Sequence, residues 1–328
     1  MSKNYLFFSK TPLTWGDGLP TVAPTLSRVK KIMGSDWQNR NKLYAEIESL
    51  NINFSYSQLA ANAVMAGCSP NSWNTYKACI DAILDKRFNL ETVITTVHSQ
   101  SPLILISGNE ARKLMIDGGR GSIGPGKGES TAIGRAVYLF IRNICNGTPD
   151  LMDAATFGHL GKMSFCFSEN IKLNPWKEFH IQKGFTDEQS TVTVFSSQSP
   201  HEIVEMGDKD TKALIDAFVY TLLNPFTYNA FYNQDVWLIL SPEHANRLNN
   251  GGLLPNEIKE ILFEKCVFKK SDLINKGMHG FIEKELKDSM NLFKSPKNIN
   301  IAVTGGSPGG YSMVCFGSGI SITKEIEK

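Results

Sequence analysis

The chain has 328 residues, of which 41% are hydrophobic and 20% are charged, and its 34 Lys and Arg residues nearly balance its 32 Asp and Glu residues. This composition excludes a collagen-like chain and argues against a disordered or strongly basic nucleic-acid-binding protein. The length predicts one large or two medium domains, because a domain commonly holds about 100–200 residues.

The composition of the first 27 residues predicts an extended arm that packs on the surface of the rest of the protein. Three prolines and two glycines interrupt this stretch, and a proline inside a helix removes a backbone hydrogen bond. Its apolar start is too short for a signal peptide, and no run in the chain approaches the ~18 apolar residues of a membrane helix. We therefore expect a cytoplasmic protein with neither a membrane nor a nucleic acid as its partner.

Residues 28–148 are expected to form a helix-rich α/β half. The Ala, Leu, Val and Met residues of the stretch 59–67 predict a buried helix, which Gly67 ends. Ser69 suits the N-cap of a second helix, with Pro70 in its first turn. The continuous apolar run 103–106 predicts a strand that is buried on both faces.

Residues 149–328 are expected to form a second α/β half. The stretches 191–195 and 300–303 predict strands there. Residues 236–252 repeat the order of residues 103–119: an apolar strand, a helix containing Glu, Ala and Leu, and a Gly-Gly pair. The sequence thus predicts an α/β or α+β fold of mixed sheets with flanking helices, and either two related half-domains or a coincidental likeness.

A glycine-rich loop precedes an amphipathic helix and is the most unusual segment of the chain. Glycines let backbone N–H groups converge on an anion, and the positive end of the following helix favours negative charge. Two nucleotide-binding patterns are matched only in part, and a mobile surface loop is the alternative. The residues expected to bind a carboxylate or phosphate are Gly119, Gly121, Gly124, Gly126, Lys127, Ser130 and Thr131. A later glycine-rich stretch, 305–310, predicts either a second anion-binding turn or a flexible hairpin.

The segment 158–170 gathers a thiol, an imidazole, an ammonium group and a carboxylate within a few residues. Such groups are those that nucleophilic or acid–base catalysis requires. We expect Cys166 as nucleophile, His159 as general base, Lys162 as the stabiliser of negative charge and Glu169 as an orienting carboxylate. The alternative is that Cys166 is a core residue between two aromatic neighbours.

Six cysteines are scattered through the chain without Cys-x-x-Cys pairs, which indicates neither a zinc ribbon nor a disulfide scaffold. Cys68 is a second candidate nucleophile if its sulfur lies near the N-terminus of the helix that follows, where the helix dipole lowers a thiol pKa. If Cys68 belongs to the end of the preceding helix, the dipole opposes ionisation. We expect no metal and no cofactor.

Several segments resemble a family of largely uncharacterised bacterial proteins called UGSC-like. The likeness begins at Trp15-Gly16-Asp17-Gly18-Leu19-Pro20 and continues through Asn62-Ala63-Val64-Met65-Ala66-Gly67-Cys68. Its central part is His159, Gly161, Lys162, Phe165-Cys166-Phe167 and Glu169-Asn170, similar to the family's HPGKYTFCFAEN block. Two departures are Lys127-Gly128-Glu129 in place of the usual Arg-Ala-Asn and the lack of a selenocysteine-type Gly-Ser-Cys motif.

The resemblance strengthens the candidates Cys68, His159, Lys162, Cys166 and Glu169, without assigning their roles. Two functions follow as hypotheses. The first is a thiol-dependent enzyme that acts on a small carboxylate or phosphate by redox chemistry, elimination or group transfer. The second is a non-catalytic subunit or scaffold for a small thiol or selenol redox protein, which would supply the missing motif. A homo-oligomer is compatible with both.

Overall fold

The computed structural model describes residues 16–149, 151–207, 210–230, 234–269, 271, 273 and 288–327. The helices in these ranges are α1 (Leu26–Met33), α2 (Tyr56–Ala66), α3 (Trp73–Ile83), α4 (Leu90–Thr95), α5 (Asn109–Lys113), α6 (Ser130–Asn143), α7 (Phe179–Gln182), α8 (Thr211–Leu222), α9 (Pro242–Asn250) and α10 (Pro255–Lys265). The strands are β1 (Leu43–Ile47), β2 (Ile52–Ser55), β3 (Ser101–Ser107), β4 (Cys166–Ser168), β5 (Thr191–Ser197), β6 (His201–Val204), β7 (Val236–Leu240), β8 (Val267–Lys269), β9 (Ser289–Asn291), β10 (Ile299–Val303), β11 (Tyr311–Cys315) and β12 (Gly317–Glu325). The predicted α/β fold of mixed sheets with flanking helices is confirmed.

Two four-stranded sheets form the centre of the protein. The first sheet has the order β12-β5-β3-β4, and the second has the order β6-β11-β7-β10. In the first sheet β3 runs parallel to β4 and antiparallel to β5. In the second, β7 runs parallel to β10 and antiparallel to β11. The two sheets therefore have the same pattern of strand directions.

Each sheet takes one edge strand from next to the stretch of chain that builds the other sheet. Strand β6 follows β5 in sequence but pairs with β11 in the second sheet. Strand β12 follows β11 in sequence but pairs with β5 in the first sheet. The predicted boundary at 148–149 falls between β3 and β4, within the chain that builds the first sheet. The two sheets thus exchange edge strands in the same way. Duplication of a half-domain remains a prediction.

Three hydrophobic clusters define four layers. One cluster joins the outer face of the first sheet, through Ile104 and Val192, to helices α2, α3 and α6. A second joins the outer face of the second sheet to α8, α9 and α10. A third lies between the two sheets and includes Leu105 and Phe167 of the first sheet and Trp237 of the second. The inner faces of the sheets thus pack on one another, with helices outside.

Local sequence explains why the helices around the first sheet form where they do. Helix α2 begins with a capping box in which Ser55 and Gln58 satisfy each other's backbone N–H groups, and Gly67 ends it in the left-handed conformation with φ of 90°. The apolar stripe predicted for α6 is buried, with Ile133 and Phe140 fully covered. These helices fix the position of the loop that precedes α6.

The described part of the predicted arm lies against two helices. The Asp17 carboxylate accepts two hydrogen bonds of 2.8 Å from the Arg135 guanidinium on α6. The backbone N–H of Val22 donates to the carbonyl oxygen of Met65 on α2 at 3.2 Å. The arginine holds the pKa of Asp17 below its usual value against the opposing effect of burial. A bidentate pair of this kind fixes orientation as well as position.

Candidate functional site

The carboxyl ends of the parallel strands of the two sheets meet at the centre of the protein. The backbone N–H of Asn170, just after β4, donates to the carbonyl oxygen of Val303 at the end of β10, at 2.8 Å. The Thr304 hydroxyl, just after β10, donates to the carbonyl oxygen of Ser168 in β4 at 2.7 Å. Ligands of α/β proteins commonly bind beyond the carboxyl ends of parallel strands. This junction is therefore the place to look for a site.

The predicted glycine loop passes directly over this junction. The Gly118 carbonyl oxygen accepts a hydrogen bond of 2.7 Å from the backbone N–H of Gly305. A Cβ atom at Gly118 would lie only 2.2 Å from the carbonyl carbon and oxygen of Glu169. Glycine is required here because the two backbones approach too closely for a side chain.

A cleft of about 340 Å³ opens on one side of the junction, and we call it the glycine cleft. Its walls are two glycine-rich turns, one from the loop before α6 and one from the stretch after β10. The Arg120 guanidinium connects the turns by donating to the carbonyl oxygen of Ser307 at 2.8 Å. The lining residues are Gly121, Ser122, Ile123, Gly124, Glu202, Ile239, Ser241, Thr304, Gly305, Gly306, Pro308, Gly309, Tyr311, Ser312 and Met313.

Three adjacent strands provide the floor of the glycine cleft. Met313 on β11 lies opposite Ile239 on β7 and opposite Glu202 on β6. Paired residues project from the same face of a sheet, so these three side chains form one row. Glu202 is exposed and is the only residue with an ionisable carboxyl group among those that line the cleft.

The structure separates the predicted anion-binding residues into two groups. Gly121 and Gly124 line the glycine cleft, whereas Gly126, Lys127, Ser130 and Thr131 lie outside its lining. Gly119 donates its backbone N–H to the Asp117 carboxylate at 2.9 Å. The Lys127 ammonium group lies 3.9 Å from the same carboxylate and is largely exposed.

The N-terminus of α6 faces a different neighbour from the one expected. Glu129 precedes the first residue of α6, and its carboxylate accepts a hydrogen bond of 3.0 Å from the backbone N–H of Ser69. A carboxylate at this end of a helix already complements the helix dipole. The Glu129 carboxylate therefore competes with any external anion for the helix N-terminus at Ser130 and Thr131.

A second cleft, of about 290 Å³, opens beyond the carboxyl ends of β3 and β4. We call it the Glu169 cleft. Ser107 and Glu169 have their counterparts in Ser241 and Thr304 of the glycine cleft, because each pair stands one position beyond the last paired residues of two parallel strands, Ile106 with Ser168 and Leu240 with Val303. The lining residues are Ile106, Ser107, Gly108, Ala111, Arg112, Met115, Ile116, Asp117, Gly118, Ser168, Glu169, Asn170, Ile171, Lys172 and Glu178.

Glu169 is buried at 4% exposure and holds two hydrogen bonds. Its carboxyl oxygens accept from the backbone N–H of Phe179 at 2.7 Å and from the side-chain amide of Asn174 at 3.2 Å. Burial raises the pKa of Glu169 to about 8, and the neighbouring Glu178 carboxylate adds to the rise. Glu169 is consequently a largely neutral acid at pH 7, able to donate a hydrogen bond.

The hydrogen bonds of His159 define its tautomer. Nδ1 accepts a hydrogen bond of 3.1 Å from the backbone N–H of Gly161, so the ring proton is on Nε2. Nε2 lies 3.2 Å from the Ser197 carbonyl oxygen and 3.2 Å from the Ser101 hydroxyl. Burial lowers the pKa of His159. In this arrangement the ring has no free basic nitrogen for the role of general base.

Lys162 forms an ion pair away from both clefts. Its ammonium group lies 2.7 and 2.6 Å from the two carboxylate oxygens of Asp153, and both side chains are largely buried. His159 contacts Ser101 at the start of β3, whereas Ser107 and the Glu169 cleft are at its end. Six residues of strand separate these ends by roughly 20 Å. The expected cluster of His159 and Lys162 with Glu169 is therefore not formed.

The two candidate nucleophiles lie in the interior beside the first sheet. Cys166 is 2% exposed and packs on the outer face of this sheet, and burial raises its thiol pKa well above the usual range. Cys68 is half-buried, and burial raises its pKa to about 12. The charge of a Cys68 thiolate adds to the rise in the Cys166 pKa. Of the two placements considered for Cys68, the structure shows the one at the end of the preceding helix, because the backbone N–H of Cys68 donates to the carbonyl oxygen of Ala63 at 3.0 Å.

Sequence reasoning missed four polar side chains of the glycine cleft: Glu202, Ser241, Thr304 and Tyr311. The glycine-rich stretch 305–310 was the available signal, and Thr304 and Tyr311 flank it. His244 also went unassigned. Its Nδ1 lies 2.7 Å from the Ser312 hydroxyl, but this hydroxyl is on the sheet face opposite Met313 and the cleft floor.

Within the described ranges, no group of three or more His, Cys, Asp or Glu side chains has an arrangement suited to a metal ion. None of the described helices has both the length and the hydrophobicity needed to cross a membrane. Comparisons with protein-family models, with curated proteins and with solved structures found no match to this chain.

Proposed function

We propose that the protein is an enzyme that binds a small anionic molecule, a carboxylate or a phosphate, in the glycine cleft. The observation that carries this proposal is the pair of glycine-rich turns, one from each half of the chain, which form opposite walls of one cavity. Glycine lets backbone N–H groups approach a ligand closely, and consecutive N–H groups bind anions. The Arg120 guanidinium, which already contacts the second turn, adds positive charge beside it.

The cleft also supplies groups for proton transfer. Glu202 provides a carboxylate on the floor, and Tyr311 provides a phenol at the edge. Within the described part of the chain, neither side chain has an ion pair or a side-chain hydrogen bond. General acid–base catalysis needs such groups within reach of the ligand, and both line the cavity. Proton transfer to or from the bound anion is the reaction that these residues favour.

A thiol step is not part of this proposal. A thiolate is the reactive form of cysteine, and burial raises the pKa of Cys68, Cys166, Cys266 and Cys315. The same observation supports the second candidate function, a non-catalytic scaffold for a thiol or selenol protein, because a scaffold needs no reactive cysteine of its own. A pull-down with a small thiol protein distinguishes the two, since the enzyme proposal requires no such partner.

Two matched glycines test the anion site. A Cβ atom at Gly124 or at Gly126 would lie 3.5 Å from the Gly121 carbonyl oxygen, an ordinary contact in both cases. Only Gly124 lines the cleft. Calorimetric titration with inorganic phosphate and with acetate should show binding of at least one anion to the wild type and to Gly126→Phe, and a loss of at least tenfold in affinity in Gly124→Phe. Absence of binding, or equal affinity in both variants, contradicts the proposal.

A further inference from the structure

Several buried polar atoms near the end of β3 have no hydrogen-bond partner within the described residues. They are the hydroxyl oxygens of Ser107 and Thr191 and both ring nitrogens of His180. All three residues are at most 2% exposed. An unpartnered buried donor or acceptor is destabilising, and proteins keep such groups where a ligand or ordered water completes them.

These atoms belong to one neighbourhood. Ser107 and Thr191 are directly opposite each other on β3 and β5. The Glu178 carboxylate accepts a hydrogen bond of 3.2 Å from the backbone N–H of Gly108 and lies 3.8 Å from Nδ1 of His180. Of these residues Ser107 lines the Glu169 cleft, whereas Thr191 and His180 lie outside its lining.

Ser107 and Glu169 project from the same face of the first sheet. Leu105 lies opposite Phe167 in the parallel pair β3 and β4, so Ser107 and Glu169 are the next matching positions toward the cleft. The Ser107 hydroxyl is close enough to the Glu169 carboxyl group to lower its pKa, yet it makes no hydrogen bond of normal geometry in the described structure. Both residues line the cavity.

The Glu178 carboxylate is a charged group beside Glu169 and His180, and Lys172 adds charge at the rim of the cleft. Burial keeps Glu169 largely protonated, and it also lowers the pKa of His180, which favours the neutral imidazole. Lys172 lines the cleft and is exposed at its rim. The titratable groups that face Glu169 from the surrounding elements are Arg112, Asp117, Lys172, Glu178 and His180.

We propose that the Glu169 cleft is a second binding site, which takes a small hydroxy acid with its hydroxyl group between Ser107 and Glu169 and its carboxylate toward Lys172. A hydroxyl group both donates and accepts, so it satisfies the Ser107 hydroxyl and the Glu169 acid together. The carboxylate end meets the Lys172 ammonium group at the rim, where water remains. This proposal is independent of ligand binding in the glycine cleft.

Glycolate is the probe, and acetate is the matched molecule without the hydroxyl group. Calorimetric titration at pH 6.5 should show glycolate binding at least tenfold more tightly than acetate to the variant Gly124→Phe, in which the glycine cleft is obstructed. Ser107→Ala should weaken glycolate binding at least tenfold. Ser101→Ala, at the other end of the same strand and equally buried, should leave it unchanged.

The pH dependence separates a donor role of Glu169 from a merely structural one. With a pKa of about 8, the protonated fraction of Glu169 at pH 9 is near one tenth, so glycolate affinity should fall about tenfold between pH 6.5 and pH 9. Glu169→Gln, which keeps a donor at all pH values, should bind glycolate without this fall. The proposal is overturned if Ser107→Ala binds glycolate as tightly as the protein with Ser107, or if glycolate and acetate bind equally. It is also overturned if glycolate binding to Glu169→Gln has the same pH dependence as binding to the protein with Glu169.

Discussion

The backbone N–H of Asn170 donates to the carbonyl oxygen of Val303 at 2.8 Å, and this bond joins the carboxyl end of β4 to the carboxyl end of β10. The two clefts open on either side of it because each cleft lies beyond one pair of parallel strands. The same junction brings Gly118 against Glu169 and Gly305. Both proposed sites thus depend on one close approach of backbones.

Gly118→Ala should therefore destabilise the protein more than Gly119→Ala. A Cβ atom at Gly118 would meet backbone atoms of Glu169 at 2.2 Å, whereas a Cβ atom at Gly119 would meet only the side chain of Asp117, at 3.0 Å. Overpacking against backbone typically costs about 1–3 kcal/mol, and a flexible side chain can move away. Urea unfolding of the two variants measures the difference. Equal free energies of unfolding would show that the junction tolerates a side chain.

The thiols should react slowly in the native protein. Burial raises the pKa of Cys166 well above its usual range and that of Cys68 to about 12, so the thiolate fraction at pH 7.5 is very small. Titration with a chromogenic disulfide should detect slow labelling in buffer, with half-buried Cys68 first, and six fast thiols in denaturant. One thiol that labels within seconds in the native protein would restore the thiol-dependent mechanism.

Lys162 should contribute to stability and not to ligand binding. Its pair with Asp153 is largely buried, and the removal of one partner leaves the other without a counter-charge. Lys162→Met should lower the free energy of unfolding by about 3 kcal/mol. Lys127→Met is the control, because its pair with Asp117 is exposed and 3.9 Å long, and it should change stability by less than about 0.5 kcal/mol. A loss of anion binding in Lys162→Met would contradict this assignment.

Stability should depend on pH through Glu169. Its pKa rises from an ordinary value of 4.5 to about 8 on folding, so between these pH values the folded state binds more protons than the unfolded state. The contribution of this group to stability is full below pH 4.5 and is lost as the pH rises to 8, by up to about 1.4 kcal/mol per pH unit. Glu169→Gln should lack this loss.

The measurement is the free energy of unfolding of the wild type and Glu169→Gln at pH 5, 6.5 and 8. The difference between the two proteins should shift in favour of Glu169→Gln as the pH rises. Parallel pH profiles would show that Glu169 titrates at its ordinary value.

Periodicity and composition predicted much of the fold. The apolar spacing from Ile133 to Ile141 predicted α6, and the apolar run at 103–106 predicted β3, because burial on one face or on both leaves a direct mark in the sequence. Local sequence patterns do not show which of the two sheets a strand joins. Glu202 therefore went unnoticed, since it reaches the glycine cleft only because β6 joins the second sheet.

The candidate site was predicted only where its residues are contiguous. Gly121 and Gly124 line a cavity as expected, because glycine density marks a turn. His159 and Glu169 are ten positions apart and were expected together, but the extended backbone of β4 carries them to opposite ends of β3. The tautomer of His159 depends on a backbone N–H of Gly161, which no side-chain pattern reveals.

The central claim is that the glycine cleft holds an anion. The backbone N–H of Gly124 already donates to the carbonyl oxygen of Gly121, so the expected donors to the anion are the N–H groups of Gly121, Ile123 and Gly306. Amide chemical shifts recorded during titration with inorganic phosphate test it most directly. Addition of phosphate should shift the amide signals of Gly121, Ile123 and Gly306 together, with one dissociation constant, and these shifts should vanish in Gly124→Phe but persist in Gly126→Phe. Shifts confined to residues outside the glycine cleft, or persistent shifts in Gly124→Phe, would contradict the account.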